Sequence, residues 1–300
     1  MDPVAAARNY VTEKLGVNFD GRNSSSLDDI IRAFLDKVPF QNISTGILPA
    51  DDRFPTEQTV VESGSNLKGG MNVHNNWFFK MLLEALGYKV QLVAAAVRNP
   101  PPVSPAPSPR SLGGHFAVVV SDLTQPGDLH LVDVGSGYPV FKAVPLNELP
   151  YTATDVTVTY RFIDENGQWH REHKEEDGAT WTRFISYDKT LVRENPREAF
   201  RDRVKDFLKE DWLVGGIVAV RYPRRSEKAI PNIPDFDKEA DYLLQFNNDA
   251  LIVRSSSGFL WEKSVPVDQI PQTFGVYFPS VPLKDVQRKL EIIKEGATRI

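Results

Sequence analysis

The spacing of apolar and polar residues changes character along the chain. From residue 27, Ile30, Ile31, Phe34 and Leu35 recur at helical spacing. Ser25 or Ser26 stands where a cap would accept from the first free N–H groups, with Asp28 and Asp29 in the first turn, where the helix dipole favours them. Val38-Pro39 predicts the end, because a residue before proline leaves the helical region. A stronger helix is predicted over 72–86, where Val73, Asn76, Trp77, Lys80, Leu83 and Glu84 mix apolar and polar positions near one stripe and Gly87 terminates. Beyond Gly87 the period becomes that of strands. Residues 88–97 form the first candidate, and 116–120 and 129–134 read as buried strands joined through Gln125-Pro126-Gly127-Asp128. Between them, 99–109 contains six prolines, which excludes a regular central strand and predicts an extended surface loop.

The segments 156–163 and 168–173 flank Asn166-Gly167, a hairpin signal. Further on, 196–210 is predicted helical with Phe200, Val204, Phe207 and Leu208 on one side, 217–222 is a strand, and 250–254 with 258–263 make a second hairpin. A closing amphipathic helix over 281–295 carries Val286, Leu290 and Ile293. A helical start, a β-rich middle and a mixed end make the fold class α+β.

Composition narrows the chemistry. The chain has 300 residues and is 41% hydrophobic, enough for a core without disulfide or metal staples. Its 35 basic and 40 acidic residues give a net charge of −5, so neither nucleic acid nor an anionic membrane surface is an expected partner. No apolar run approaches a membrane span, and the start MDPVAAARNYVTEK lacks the basic and apolar regions of a signal peptide, so a cytoplasmic location is expected. There are no cysteines, which removes disulfides, thiolate zinc sites, iron–sulfur clusters and thiol nucleophiles together.

Three places carry candidate chemistry. Lys68-Gly69-Gly70-Met71-Asn72 opens the strong helix, where paired glycines let the backbone approach a ligand and free N–H groups favour negative charge; the plainer reading is a turn. His115 follows Gly113-Gly114 and precedes a buried strand. Asp133 ends Leu131-Val132-Asp133 among apolar residues, where a carboxylate is costly unless partnered. An imidazole is a natural partner, since a carboxylate fixes its tautomer and stabilises imidazolium; a strand-end histidine and a turn aspartate are the plainer reading. Elsewhere, His170 and His173 fall on opposite strand faces and predict no metal site, and 174–177 reads as a solvated charge run. Arg221, Arg224 and Arg225 form a basic cluster, read either as a contact for the phosphates of CoA or another anion or as ordinary surface; Trp77, Phe78 and Phe79 read as core.

The order Gly69-Gly70, then Gly113-Gly114-His115-Phe116, then Leu131-Val132-Asp133-Val134-Gly135-Ser136-Gly137 resembles the arylamine N-acetyltransferase family. Val38-Pro39-Phe40-Gln41-Asn42-Ile43, Leu82-Leu83-Glu84-Ala85-Leu86-Gly87-Tyr88 and Thr273-Phe274-Gly275-Val276 are similar to further family segments. The resemblance implies three parts: a helical bundle (1–87), a β-barrel (88–205) and an α/β lid (206–300). It also implies a Cys-His-Asp triad that accepts an acetyl group from acetyl-CoA and passes it to an arylamine or hydrazine. His115 and Asp133 fall on two triad positions, and Asn72 falls on the cysteine. Lys68 takes the family arginine, His74 the Glu/Gln and Asn76 the final asparagine, and Ser136 replaces the phenylalanine often seen after the aspartate. The implied substrate pocket includes Phe40, Gly70, Met71, His74, Gly113, Gly114 and Ser136. Side chains two apart do not share a helix face, so His74 is read on its own as a surface or packing residue.

A carboxamide has no thiolate state, so the covalent route is closed. The first expectation is an enzyme working by proton transfer, with His115 as acid/base, Asp133 orienting it and Asn72 as polar anchor or oxyanion donor. Cyclisation, condensation, dehydration or isomerisation of a small aromatic or amine-bearing metabolite suits it. No cofactor is then required, although acetyl-CoA stays possible. The alternatives are a non-catalytic binder of a ligand or partner, direct acetyl transfer without an acyl-enzyme, and a cysteine replaced by design.

Overall fold

The protein is described by a computed structural model over residues 2–98, 112–156, 158–175, 178–205, 207–209, 211–224, 230, 240–258 and 260–297. The proline-rich stretch 99–109 lies outside the described residues, as do 176–177 and Arg225.

Helix α1 (Pro3–Asn9) runs into a π turn (Tyr10–Leu15) and is followed by α2 (Ser24–Lys37). Strand β1 (Phe40–Gln41) precedes α3 (Ile43–Gly46), α4 (Glu57–Ser65) and α5 (Asn72–Ala85). The α2 start differs from the expectation. Asn23 is the cap, accepting from the Ser26 N–H at 2.8 Å, and the Ser26 hydroxyl instead bonds Asp20 at 2.6 Å. The extended backbone of Asn23 lets its short carboxamide reach that N–H. At the other end, α2 stops at Val38, as the following proline requires. Helix α5 ends before Gly87, whose φ of 88° suits glycine. Phe34 of α2 meets Phe79 of α5 edge-on at 5.1 Å, and Trp77, Phe78, Phe79, Leu82 and Leu83 are all buried.

The middle of the chain is β2 (Lys89–Val97), β3 (Leu112–Ser121), β4 (Leu129–Val132), β5 (Val144–Pro145), β6 (Tyr151–Thr154), β7 (Thr159–Glu165), β8 (Gln168–Lys174) and β9 (Trp181–Val192). They pair antiparallel in the order β5-β4-β3-β2-β9-β8-β7-β6 and roll into a nearly closed barrel. Asn166 and Gly167 form the β7–β8 turn with φ of 52° and 74°, the backbone that Asn-Gly favours in a two-residue hairpin. Strand β9 had no counterpart in the apolar pattern. Its charged residues Arg183 and Lys189 bond outward to Glu165 and Asp164, and its pairing slips against both neighbours.

Helix α6 (Pro196–Lys205) is shorter than expected; a 3₁₀ turn (Phe207–Lys209) takes over, then α7 (Asp211–Gly215). The final part contains β10 (Val218–Arg221), β11 (Tyr242–Asn247), β12 (Ala250–Ser255), β13 (Leu260–Ser264), α8 (Ile270–Tyr277) and α9 (Leu283–Ala297). Its sheet runs β1-β10-β11-β12-β13, so Phe40–Gln41 from the helical part contributes the edge strand. Separate apolar clusters fill the bundle and its contact with the barrel, the barrel interior, and the space between the last sheet and α8–α9. Among the described residues, no helix is long and apolar enough to cross a membrane.

One cation is buried where α9 meets the bundle. Lys289 is 0% exposed and donates to the Leu213 carbonyl at 2.5 Å. Burial, then the charge of Arg53, bring its ammonium down to about 7. Between that value and the unfolded lysine value near about 10.4, the unfolded chain binds a proton that the folded chain does not. Stability contributed here therefore rises with pH across that window. In chemical denaturation between pH 7 and 9, the protein is expected to gain on Lys289→Met by up to about 1.4 kcal/mol per pH unit. Parallel curves for the two proteins would contradict this account of the lysine.

Candidate active site

The N-terminus of α5 meets β3 and the loop after β4. Its approach is a tight one. Gly69 has φ of 67°, and a Cβ there would lie 1.9 Å from the Pro39 carbonyl oxygen, so only glycine fits. The loop is pinned by Ser63, whose hydroxyl donates to Gly69 O at 2.5 Å, and by Gly70 N donating to Pro39 O at 3.3 Å. Lys68 reaches away to α9 and pairs with Asp285 at 2.7 Å. These contacts set the position of Asn72, the first residue of α5.

Asp133 is wholly buried just past the end of β4, and His115 is buried on β3. Nε2 of His115 lies 2.7 Å from Asp133 Oδ2. The other carboxylate oxygen accepts from Asn76 Nδ2 at 3.0 Å and from Gly135 N at 3.1 Å, and the Tyr187 hydroxyl lies 3.4 Å from Oδ2. Burial would push the carboxyl up. The charge and hydrogen bond of His115, then the Asn76 amide, outweigh burial and hold Asp133 below its ordinary value. An ionised carboxylate only accepts, so Nε2 carries a proton directed at Asp133.

Asn76 stands one turn beyond Asn72 on α5. Besides Asp133, its Nδ2 donates to Phe116 O at 2.7 Å, and its Oδ1 accepts from Val134 N at 3.0 Å. One amide thus fixes the carboxylate, the strand after His115 and the loop after Asp133. Gly135 sits so close that a Cβ would meet Asn76 Nδ2 at 2.6 Å and Asn72 Cα at 2.9 Å.

Asn72 Nδ2 donates to Gly114 O at 3.2 Å. A carbonyl only accepts, which fixes the amide's orientation and leaves Oδ1 on the other side. That oxygen is buried and has no partner. The carboxamide therefore offers an acceptor, and gives one of its two N–H groups to Gly114.

Of the other expected residues, Gly114 supplies that carbonyl with φ of 100°, next to Gly113 on β3. Phe40 bridges Gly70 and lies 3.9 Å from where a Gly137 Cβ would be. Met71 is buried at the cap position of α5. Ser136 follows Gly135, and its buried hydroxyl has no partner. His74 is buried against Gly70, its Nδ1 unpartnered; burial, then Lys68, bring the ring down to about 4, which keeps it neutral. Two arginines of the basic cluster make contacts within the protein. Arg221 donates to Tyr277 O and Asp36 O, and Arg224 to Asp29 O. His170 bonds Ser186 while His173 stacks on Phe184 at 4.3 Å, and no metal-holding cluster exists among the described residues.

The resemblance placed Asn76 on the family's final asparagine without giving it a task, and no role was assigned to Tyr187 or to Tyr222, whose hydroxyl donates to Gly137 O at 2.7 Å. Asn76 thus left two signals, that motif position and its spacing of four from Asn72.

A family model described as N-acetyltransferase matches residues 25–211, more than half of the chain. The chain belongs to the arylamine N-acetyltransferase family. Solved arylamine N-acetyltransferases share its fold. The Salmonella typhimurium protein is 16% identical, with 97% of this chain and 98% of that one covered at a TM-score of 0.70. The Mycobacterium marinum protein, solved in complex with CoA, is 18% identical over 94% and 97% at 0.67. A Mycobacterium smegmatis variant with one cysteine replaced by glutamine is also 18% identical over 94% and 97% at 0.67. No curated protein matched in sequence. This family member lacks cysteine altogether.

If Asn76 knits the site together, Asn76→Ala removes the side-chain partner of Phe116 O and of Val134 N in the interior and leaves Asp133 Oδ1 with Gly135 N alone. The expected cost is at least about 2 kcal/mol, because each buried group left unpaired costs about 1–3 kcal/mol. Urea denaturation at unchanged slope measures it; a loss below about 0.5 kcal/mol would contradict the assignment.

Proposed function

We propose that this family member catalyses proton transfer on a small aromatic or amine-bearing metabolite without forming an acyl-enzyme. The observation that carries this reading is the buried His115–Asp133 contact at 2.7 Å, with a carboxamide where the family's nucleophile stands. His115 Nδ1 accepts a proton from a substrate N–H, O–H or activated C–H. The resulting imidazolium is held by Asp133 through Nε2–H, and the proton returns to a second substrate atom. Asn72 Oδ1 accepts a hydrogen bond from the substrate and orients it, with Phe40, Gly70, Met71, Gly113, Gly114 and Ser136 around it. His74, neutral and packed against Gly70, shapes the wall. Such catalysis supplies about 10²–10⁴-fold, which suits cyclisation, condensation, dehydration or isomerisation. No cofactor is needed for these steps.

The CoA complex of the Mycobacterium marinum relative favours a second reading. There, acetyl-CoA and an amine bind together, the amine nitrogen attacks the thioester carbonyl, His115 takes the amine proton and CoA leaves as the thiol. Both readings place the chemistry at a soluble, small-molecule site; they differ in the need for CoA.

The test is product analysis over a panel of small aromatic amines, with and without acetyl-CoA. His115→Gln is expected to lose about 10²-fold or more of any turnover, with the fold retained. Intact mass is expected to show no acetyl group on the protein after incubation with acetyl-CoA. Turnover that is unchanged in His115→Gln would overturn the proposal. Turnover that requires acetyl-CoA, with sequential kinetics, would replace the first reading by the second.

A further inference from the structure

Behind the carboxylate, inside the barrel, lies a second buried charge. Arg171 on β8 is 0% exposed, with its guanidinium 4.4 Å from the Tyr160 ring and 5.6 Å from Phe184. Nη1 donates to the Tyr138 carbonyl. Nη2 lies 3.8 Å from Asp155 Oδ2, and neither Nε nor Nη2 makes a hydrogen bond.

Two connections join this cation to Asp133. Tyr138 belongs to the loop that begins at Asp133, and Val140 N closes that loop onto Asp133 O at 3.1 Å. Across the strand pair, Arg171 stands opposite Ile185, two residues from Tyr187, whose hydroxyl is 3.4 Å from Asp133 Oδ2. A charge with unspent donors in a low-dielectric interior acts over long distances. Arg171 is also one of the groups that lower the Asp133 carboxyl, behind burial, which raises it, and behind His115 and Asn76.

The remaining groups facing the guanidinium are mostly uncharged at neutral pH. Burial pushes the phenols of Tyr138, Tyr160, Tyr187 and Tyr222 up and the His173 ring down. Asp155 is the nearby counter-charge, and Arg254 acts on Tyr138 from the lid.

We propose that Arg171 is a positioning residue for the dyad: it fixes the Asp133 loop through Tyr138 and tempers the carboxylate's hold on the His115 proton. An isolated buried carboxylate would bind imidazolium tightly and make the ring a reluctant acid. With a second cation behind it, the same carboxylate still orients the ring but releases the proton more readily. The inference rests on the reading of His115 as the acid/base group.

NMR titration of the imidazoles in the full chain tests it, comparing Arg171→Lys, Arg171→Met and Arg171→Met with Asp155→Asn. The last pairing strands no buried carboxylate and guards against a misfolded single variant. Arg171→Met is expected to raise the His115 midpoint by about one pH unit, a roughly tenfold gain in proton affinity, the double variant by less because the Asp155 charge leaves with it, while Arg171→Lys stays within about 0.3 unit. An unmoved midpoint in folded Arg171→Met would overturn the proposal. So would a lysine variant that shifts as far as methionine, since the charge would then not be the agent. The readout is the ring rather than turnover. A shifted midpoint with undiminished His115→Gln turnover would spare this inference and reject the catalytic reading.

Discussion

A carboxylate taken wholly out of water must be met by donors from the protein, and at Asp133 that demand organises the surrounding structure. The donors come from β3, α5, the loop after β4 and β9. These segments are far apart in sequence. Satisfying one side chain therefore ties the helical bundle to the barrel and fixes how α5 lies against β3. The glycines follow from the same demand, because Gly135 must let the Asn72 and Asn76 region approach without a Cβ between them. The lid adds its own restraints: Tyr222 holds Gly137, and Lys68 is held by Asp285. Asp133 engages one ring nitrogen of His115, Nε2.

A carboxamide at the start of α5 carries a different chemistry from a thiol. A thiolate would carry negative charge, whereas Asn72 is neutral and gives one N–H to Gly114. The site then has one hydrogen-bonded couple, His115 with Asp133, and unspent oxygens on Asn72 and Ser136. Such a site favours ligands that donate hydrogen bonds and exchange protons. The barrel interior contributes a further charge, Arg171, which a triad description based on three residues would leave out.

Much of this was legible because it is encoded locally. Helix α5 announces itself by spacing and by Gly87, the β7–β8 turn by Asn-Gly, and the dyad by a histidine and an aspartate each entering a buried strand. What stayed hidden depends on distant partners. Strand β9 has charges that make sense only against Glu165 and Asp164, and its register slips mask the alternation. Asn23 was passed over as the α2 cap because neighbouring serines offered the same chemistry. The orientation of the Asn72 amide follows from a carbonyl forty-two residues away, which no local pattern carries. Tyr187 and Arg171 could not be placed behind Asp133 until the barrel order was known.

The central claim is that the carboxylate fixes the ring so that His115 keeps a lone pair on Nδ1. Nitrogen-resolved NMR of the imidazoles, taken above the pH at which the ring loses its charge, reads this directly. The account expects the His115 proton on Nε2, shared with Asp133, and a bare Nδ1. A neutral ring carrying its proton on Nδ1 would contradict it.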